Sequence, residues 1–459
     1  MSDLLPWRGL VDEQAGREKF IKIGLSDAAA GVQAQLLAQS ARVLADRSDV
    51  CGDQAYTCYV PGRIEVLGKH TDYGGGRSIT AATQSGFSLL AVPRADAILH
   101  ITAGDGDTSA FTIDSDLAPP LGHWSNYPMT VARRLARNFP GPFVGADIAF
   151  AGSLPAAAGI SSSSAMMIAF YLALEKINQL RQRDEYQVNI DSVLALAGYL
   201  GTVENGQTFG SLIGDRGVGT FGGSEDHTAI LCSEPNRLNL YSYCPARFDR
   251  FLPMPDGFTF AIASSGVIAE KTGAALERYN RASQLASAAA EIWRRHSGRD
   301  DAHLAAAIAA SPDAPEQIRS IFPQYDHARF SPADLARRFE HFYAESEQII
   351  PEAAQSLERQ RLDEFGRQVD RSQKLAELLL GNQVPETCFL AARARQLGAT
   401  AASAFGAGFG GSVWALVEQE QAEAFLQDWS GQYRGAHAEA ASRAVFFLTQ
   451  PGPAAAQVV

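Results

Sequence analysis

Apolar positions fall near helical spacing over residues 26–47, at Val32, Leu36, Leu37 and Val43, with Ser26 and Asp27 placed to cap the first turn. Residues 56–68 read as extended, with Tyr56, Tyr59, Ile64, Val66 and Leu67. Further strands are expected at 87–93, 98–102 and 147–151, and Trp124, Asn126 and Tyr127 lead into a helix through Leu135. Residues 162–180 predict a helix that is apolar on most sides (Met166, Met167, Phe170, Leu172, Leu174, Ile177) and so belongs inside a domain. A helix follows at 192–204, then a glycine-rich stretch at 206–223, then paired strands at 228–232 and 237–241. A strand at 258–264 opens a run of alanine-rich helices reaching about residue 397. Strands near 400–404 and 412–417 flank the last glycine cluster, and the tail PGPAAAQVV reads as frayed. Helices and strands alternate irregularly, which favours an α+β fold over a regular βαβ series.

At 459 residues the chain exceeds the usual size of one domain. Pro245, Pro253 and Pro255 mark a boundary near 246–256, dividing the chain into residues 1–250 and 251–459. Hydrophobic residues make up 46% and charged residues 20%, which is ample for a large core and ordinary for a globular protein. The formal net charge of -12 argues against nonspecific nucleic-acid binding. Five scattered cysteines without CxxC spacing read as reduced thiols. No basic leader precedes an apolar run, and no stretch is long enough to span a bilayer, so a cytoplasmic protein with no membrane partner is expected.

Three segments carry the candidate chemistry. Pro61–Gly76 reads PGRIEVLGKHTDYGGG and gathers charges of both signs beside three glycines. Ser161–Ser164 follow Gly159 and open the broad apolar helix, so orphan backbone N–H groups, a positive dipole end and hydroxyls converge where a phosphate or a magnesium ion binds. A plain N-cap needs only one of those serines. GAGFGG at 406–411 fits GxGxxG, but a strand follows it rather than a helix, which excludes a dinucleotide fingerprint. Gly62–His70 contains GK yet has the wrong spacing and His70 in place of Ser or Thr, which excludes a P-loop. Asp226, in GGSEDH, offers a carboxylate able to take or orient a hydroxyl proton; a solvated turn is the alternative. Glu204 ends a helix and reads either as a surface carboxylate or as a magnesium ligand. His70 and His227 lack a third ligand at zinc spacing. Together the segments suggest an enzyme that holds a phosphate donor in one loop and a polar acceptor beside it.

In this order, the motifs resemble those of the galactokinases, within the GHMP superfamily of sugar and metabolite kinases. Gly62-Arg63 through His70-Thr71-Asp72-Tyr73 is similar to the signature GRxNxIGEHTDY. Pro155-x3-Gly159-Ile160-Ser161-Ser162-Ser163 is similar to PxxxGLSSS, and Gly406–Gly411 to the third motif. Smaller echoes are Trp124-x-Asn126-Tyr127, GGSEDH where the family has CGxMDQ, and Tyr279-Asn280-Arg281. The resemblance implies two α+β lobes with the active site in the cleft, and a kinase that uses ATP and Mg2+ on the anomeric hydroxyl of a sugar. It implies Arg63 as stabiliser of the transferred phosphoryl group and Asp226 as the catalytic aspartate. His70, Asp72 and Tyr279 would hold sugar hydroxyls. Pro155, Gly159 and Ser161–Ser164 would wrap the phosphates, with Gly406 and Gly408 beside them, and Ser162 or Ser163 with Glu204 would position magnesium.

The departures concentrate in the sugar shell. Glu65 stands for asparagine, Lys69 for the glutamate of GEH, Ser403 and Phe405 for a basic residue and a threonine, and Cys388 for an aspartate. About ten extra residues separate Glu204 from Asp226. The charge reversal at Lys69 suggests a substrate other than plain galactose, such as a uronic acid whose carboxylate pairs with Lys69; internal pairing of Lys69 with Glu65 is the alternative. A catalytically silent sugar and ATP sensor is a second reading, weakened by the presence of both Arg63 and Asp226. A kinase for a non-sugar alcohol is weakened by HTDY and Tyr279-Asn280-Arg281.

Overall fold

The computed structural model describes residues 4–155, 158–267, 273–325 and 327–458. Among them, the strands β1 (Leu5–Pro6), β2 (Gln54–Leu67), β3 (Arg77–Pro93), β4 (Ile98–Ala103), β5 (Thr108–Thr112), β6 (Ala146–Gly152), β7 (Arg237–Ser242) and β8 (Arg247–Pro253) belong to one large sheet. Its main order is β1-β2-β3-β6-β4-β5, with β7 on β3 and β8 on β7. The pairings are antiparallel except for β4 with β6. A second sheet holds β9 (Phe258–Ser264), β10 (Ala401–Ala404), β11 (Ser412–Glu418) and β12 (Val445–Thr449) in the order β10-β11-β9-β12. Helices and sheets are thus mixed, in an α+β arrangement.

β2 shows how one strand serves three cores. Tyr56, Cys58 and Val60 alternate onto the face covered by helices Asn126–Asn138, Ser162–Ile177 and Val193–Asn205. Ala55 and Tyr59 point the other way, against helices Glu13–Lys22 and Asp27–Ala45. Residues 7–50 therefore cover the back of the sheet, and the Ser26 side chain caps the second helix as its sequence predicts. Beyond Pro61 the strand passes into a third core, where Ile64, Val66 and Leu67 pack with Phe260, Ile262, Phe365 and Trp414. A fourth core lies within the helical segment, at Leu285, Ile292, Ile318, Leu335 and Phe342.

Two expectations are corrected. Residues 228–232 are not a strand: Glu225–Cys232 is a helix, and β7 pairs with β3 and β8. Its eight residues are too short for an apolar run to declare its period. The tail is not frayed. Residues Ala456–Gln457 form β13 on β2, and the Val458 carbonyl accepts from Thr57 Oγ1 at 2.5 Å. β8 belongs to the large sheet, the change of sheet falls between Pro253 and Phe258, and β13 returns to the first sheet. No helix among the described residues is long and apolar enough to cross a membrane.

Candidate active site

Arg63 lies on β2 between two irregularities of its pairing with β3. Such irregularities re-aim side chains. Its main-chain N–H donates to the Ile160 carbonyl at 3.1 Å, which straps the serine loop to the strand. Its guanidinium is buried and spoken for at every corner. Nε donates to Asp226 Oδ1 at 2.7 Å, one terminal nitrogen to the Gly159 carbonyl at 3.2 Å and the other to Glu65 Oε2 at 3.2 Å. The surrounding carboxylates hold it charged, outweighing the effect of burial.

Asp226 sits in the first turn of the Glu225–Cys232 helix, whose dipole favours a carboxylate there. Its side chain is 24% exposed against 6% for Arg63, so the carboxylate is the member of the pair that reaches the open space. Ser164 Oγ donates to Glu204 Oε2 at 2.7 Å and lies 3.4 Å from Asp226 Oδ2. The extra residues after Glu204 therefore loop out without displacing it. Gly223 makes the close approach possible, because a Cβ there would lie 2.4 Å from Asp72 Oδ2.

The signature turn supplies the next wall. His70 is in the left-handed region (φ 56). Its Nδ1 is bonded to the Tyr73 hydroxyl at 2.9 Å, and the Arg338 guanidinium donates to its carbonyl. Burial, with the nearby charge of Arg338, pushes the imidazole down to about 3, so it is neutral. Asp72 accepts from the N–H groups of Tyr73 (2.8 Å) and Glu225 (3.3 Å). Burial nevertheless pushes its carboxyl up to about 6, with the charges of Asp226 and Glu65 adding to the rise. The Tyr279 ring stands 5.1 Å from that of His70.

These groups line one cavity of about 640 Å³, a size suited to a small substrate beside a cofactor. Arg63, His70, Asp72, Gly159, Ser161, Ser162, Ser163, Glu204, Asp226, Tyr279, Gly406 and Gly408 all contribute. Ser164 lies beneath, fully buried. Pro155 does not line it, and Ala156 and Ala157 of the same loop fall outside the described residues. Ser163 and Glu204 offer a hydroxyl and a carboxylate, oxygen donors that suit a hard cation. Among the described residues no cluster of three or more His, Cys, Asp or Glu forms a dedicated metal cage. Phe87, Trp124, Tyr127, Leu154 and Met166 give the same cavity an apolar, aromatic end.

Lys69 is the site residue that the structure places elsewhere. Its ammonium is fully buried and donates to Ser372 Oγ at 3.0 Å and Ser403 Oγ at 2.8 Å, away from the cavity. Ser372 in turn donates to the buried Glu345 at 2.9 Å. Two departures of the sequence, Lys69 and Ser403, thus meet as one internal contact. Sequence reasoning missed Glu65 and Glu225 as cavity residues. The signal was present for Glu65, since positions 63 and 65 of a strand share a face. Gly406 is needed beside it: a Cβ there would lie 2.2 Å from Glu65 Oε2.

Comparisons with known proteins place this geometry in a class. A galactokinase galactose-binding signature matches residues 48–92, the GHMP kinase N-terminal domain residues 126–212, and the GHMP kinase C-terminal domain residues 353–435. The chain thus resembles the GHMP kinases in both domain matches, and it has their mixed helical and sheet fold. Among them it is similar to the galactokinases. A galactokinase of Roseiflexus sp. is 26% identical over 82% of this chain and 87% of its own length. One from Glaesserella parasuis is 24% identical over 80% and 86%. The crystal structure of Lactococcus lactis galactokinase complexed with galactose superimposes with a TM-score of 0.71 at 21% identity, covering 91% of this chain and 97% of that one. The Methanococcus jannaschii mevalonate kinase shares the fold more distantly, with a TM-score of 0.53 at 13% identity over 86% and 98% of the two chains.

Proposed function

We propose that this protein is an ATP-dependent kinase that phosphorylates the anomeric hydroxyl of galactose or a related neutral sugar. The observation that carries the reading is the 2.7 Å contact between Arg63 Nε and Asp226 Oδ1 beside the serine-lined helix N-terminus. Phosphoryl transfer is accelerated mainly by positioning and charge neutralisation. Asp226, the more exposed partner, accepts the proton of the attacking hydroxyl. Arg63 stays charged and stabilises the phosphoryl group as it passes. Backbone N–H groups at Ser161–Ser163 and the helix dipole cradle the phosphates, and the aromatic end at Trp124 and Tyr127 suits a nucleotide base. Magnesium, held by Ser163 and Glu204 (or Ser162 in place of Ser163), would neutralise charge across the β- and γ-phosphates. Asp72 and Tyr279 with neutral His70 hold sugar hydroxyls.

The uronic acid reading loses its support, because the ammonium it relied on is bonded inside the protein. The cavity wall instead presents Glu65, Asp72, Glu225 and Asp226, which disfavour an anionic sugar. An ADP-release panel of galactose, galacturonate, glucuronate and arabinose, with ATP and Mg2+, tests this. Turnover with galactose or arabinose and not with the uronates is expected; uronate preference, or release with none of them, contradicts the reading. Lys69→Met is expected to leave the ranking of sugars unchanged while lowering stability by about 1–3 kcal/mol, through loss of charged hydrogen bonds to Ser372 and Ser403. Chemical denaturation read alongside the panel checks both parts.

Asp72 gives the site a pH dependence. Its folded-state value of about 6 lies above the ordinary 3.8, so the ionised form costs stability above about pH 6 and that cost is relieved as pH falls. The ionised form is the stronger acceptor for a sugar hydroxyl. The sugar KM is therefore expected to rise as pH falls below about 6, with kcat less affected. Asp72→Asn is expected to flatten that dependence at a KM roughly tenfold higher. A KM for wild type that is level across this range would contradict the assignment.

A further inference from the structure

Two departures from the family pattern meet in the cavity. Glu65 stands where the signature has asparagine, and Glu225 where CGxMDQ has methionine. Both are buried, at 3% and 4% exposure, and both line the cavity. Glu65 Oε2 accepts from Arg63 at 3.2 Å, and Glu225 Oε1 lies 3.6 Å from Arg63 Nε. On each residue Oε1 is sealed from solvent with no N–H or O–H of another residue directed at it. The two buried carboxyl groups thus lean on the same guanidinium, each with one oxygen left without a donor. Ionised carboxylates have only acceptors, and two that share one buried site favour a proton on one of them.

We propose that Glu65 and Glu225 form a positioning pair that shares one proton and holds the guanidinium of Arg63 against Asp226. Glu65 takes the charged hydrogen bond from Arg63 and keeps its negative charge. Glu225 lacks such a bond and carries the proton. Burial, and then the charge of Glu65, push the Glu225 carboxyl well above the usual range, in agreement with that division. The charged and titratable groups around the pair are Arg63 on β2, Lys69 and Asp72 in the turn after it, Asp226 on the helix of Glu225, and Tyr243 after β7. With the proton in place, Arg63 faces two carboxylates and retains positive field for the incoming phosphoryl group. Without it, three carboxylates surround one guanidinium.

The kinetic part of the test rests on the sugar-kinase reading. In wild type, kcat is expected to fall as pH rises and the shared proton leaves. Glu225→Gln keeps a donor and cannot lose it. Its kcat at neutral pH is expected to drop only about fivefold, with the alkaline fall absent. The infrared spectrum of the wild-type protein supplies a readout that needs neither turnover nor a folded variant. It should show a protonated-carboxyl band at neutral pH that disappears as pH is raised, and Glu65→Asn/Glu225→Met should lack that band. An unchanged alkaline limb in Glu225→Gln, or no such band in wild type, overturns the pair. Absence of phosphoryl transfer to every sugar, with the band present, overturns the kinase reading and leaves the pair standing.

Discussion

Asp226→Asn is expected to lower kcat by about 10²- to 10⁴-fold while leaving ATP affinity within about threefold of wild type. The substitution preserves shape and an acceptor oxygen, so Arg63 retains a partner at the position of Oδ1. What disappears is the negative charge that takes the hydroxyl proton. In this reading Asp226 serves the acceptor hydroxyl and the backbone of the serine loop serves the phosphates, so nucleotide affinity is expected to change little. ADP release with the preferred sugar measures the first quantity, and calorimetric titration with a nonhydrolysable ATP analogue measures the second. Turnover within tenfold of wild type would remove Asp226 from the chemistry. A parallel loss of nucleotide affinity would make it a structural residue.

Arg63→Met has the second large effect, and it acts on stability as well as rate. Removing the guanidinium leaves Glu65, Glu225 and Asp226 together without their common counter-charge. Breaking a buried pair by deleting one partner costs about 3–5 kcal/mol, and losing a positioned charge from a transition state costs about 10²- to 10³-fold in kcat. The sign of the pH dependence follows. Burial already raises the Glu65 and Glu225 carboxyls, and without Arg63 they rise further above their unfolded values, so their ionised forms destabilise the fold at high pH and protonation relieves the cost at low pH. The stability gap between wild type and Arg63→Met should therefore narrow as pH falls. Urea denaturation at mildly acidic and mildly alkaline pH reads it; a gap that widens toward acid would contradict the charge cluster. Arg63→Lys keeps the charge but presents a single nitrogen, which does not span Asp226, Glu65 and the Gly159 carbonyl together, and it should recover little activity.

The parts of the fold legible in the sequence are those with local causes. Helix Asp27–Ala45 was readable because Ser26 caps it and its apolar stripe is long. Helix Ser162–Ile177 was readable because it is apolar nearly all round. The convergence of Arg63, Asp72, serines 161–163, Asp226 and Gly406 on one cavity was legible only through the order of the motifs, since these residues are brought together by four separate segments. What the sequence concealed has long-range causes. The strand at Ala456–Gln457 exists because it pairs with Tyr59 and Cys58 some four hundred residues earlier. The direction of Lys69 depends on Ser372 and Ser403, which no local pattern links to it. A motif position fixes where a side chain starts; its partners fix where it points.

The most direct measurement is phosphorus NMR of the reaction product. With ATP, Mg2+ and galactose or its preferred relative, the account predicts transfer of the γ-phosphoryl group to the anomeric oxygen, seen as a sugar phosphate whose phosphorus couples to the anomeric proton, and no such product with Asp226→Asn. Phosphate found on any other sugar oxygen, or ATP and sugar recovered unchanged after both are shown to bind, would contradict it.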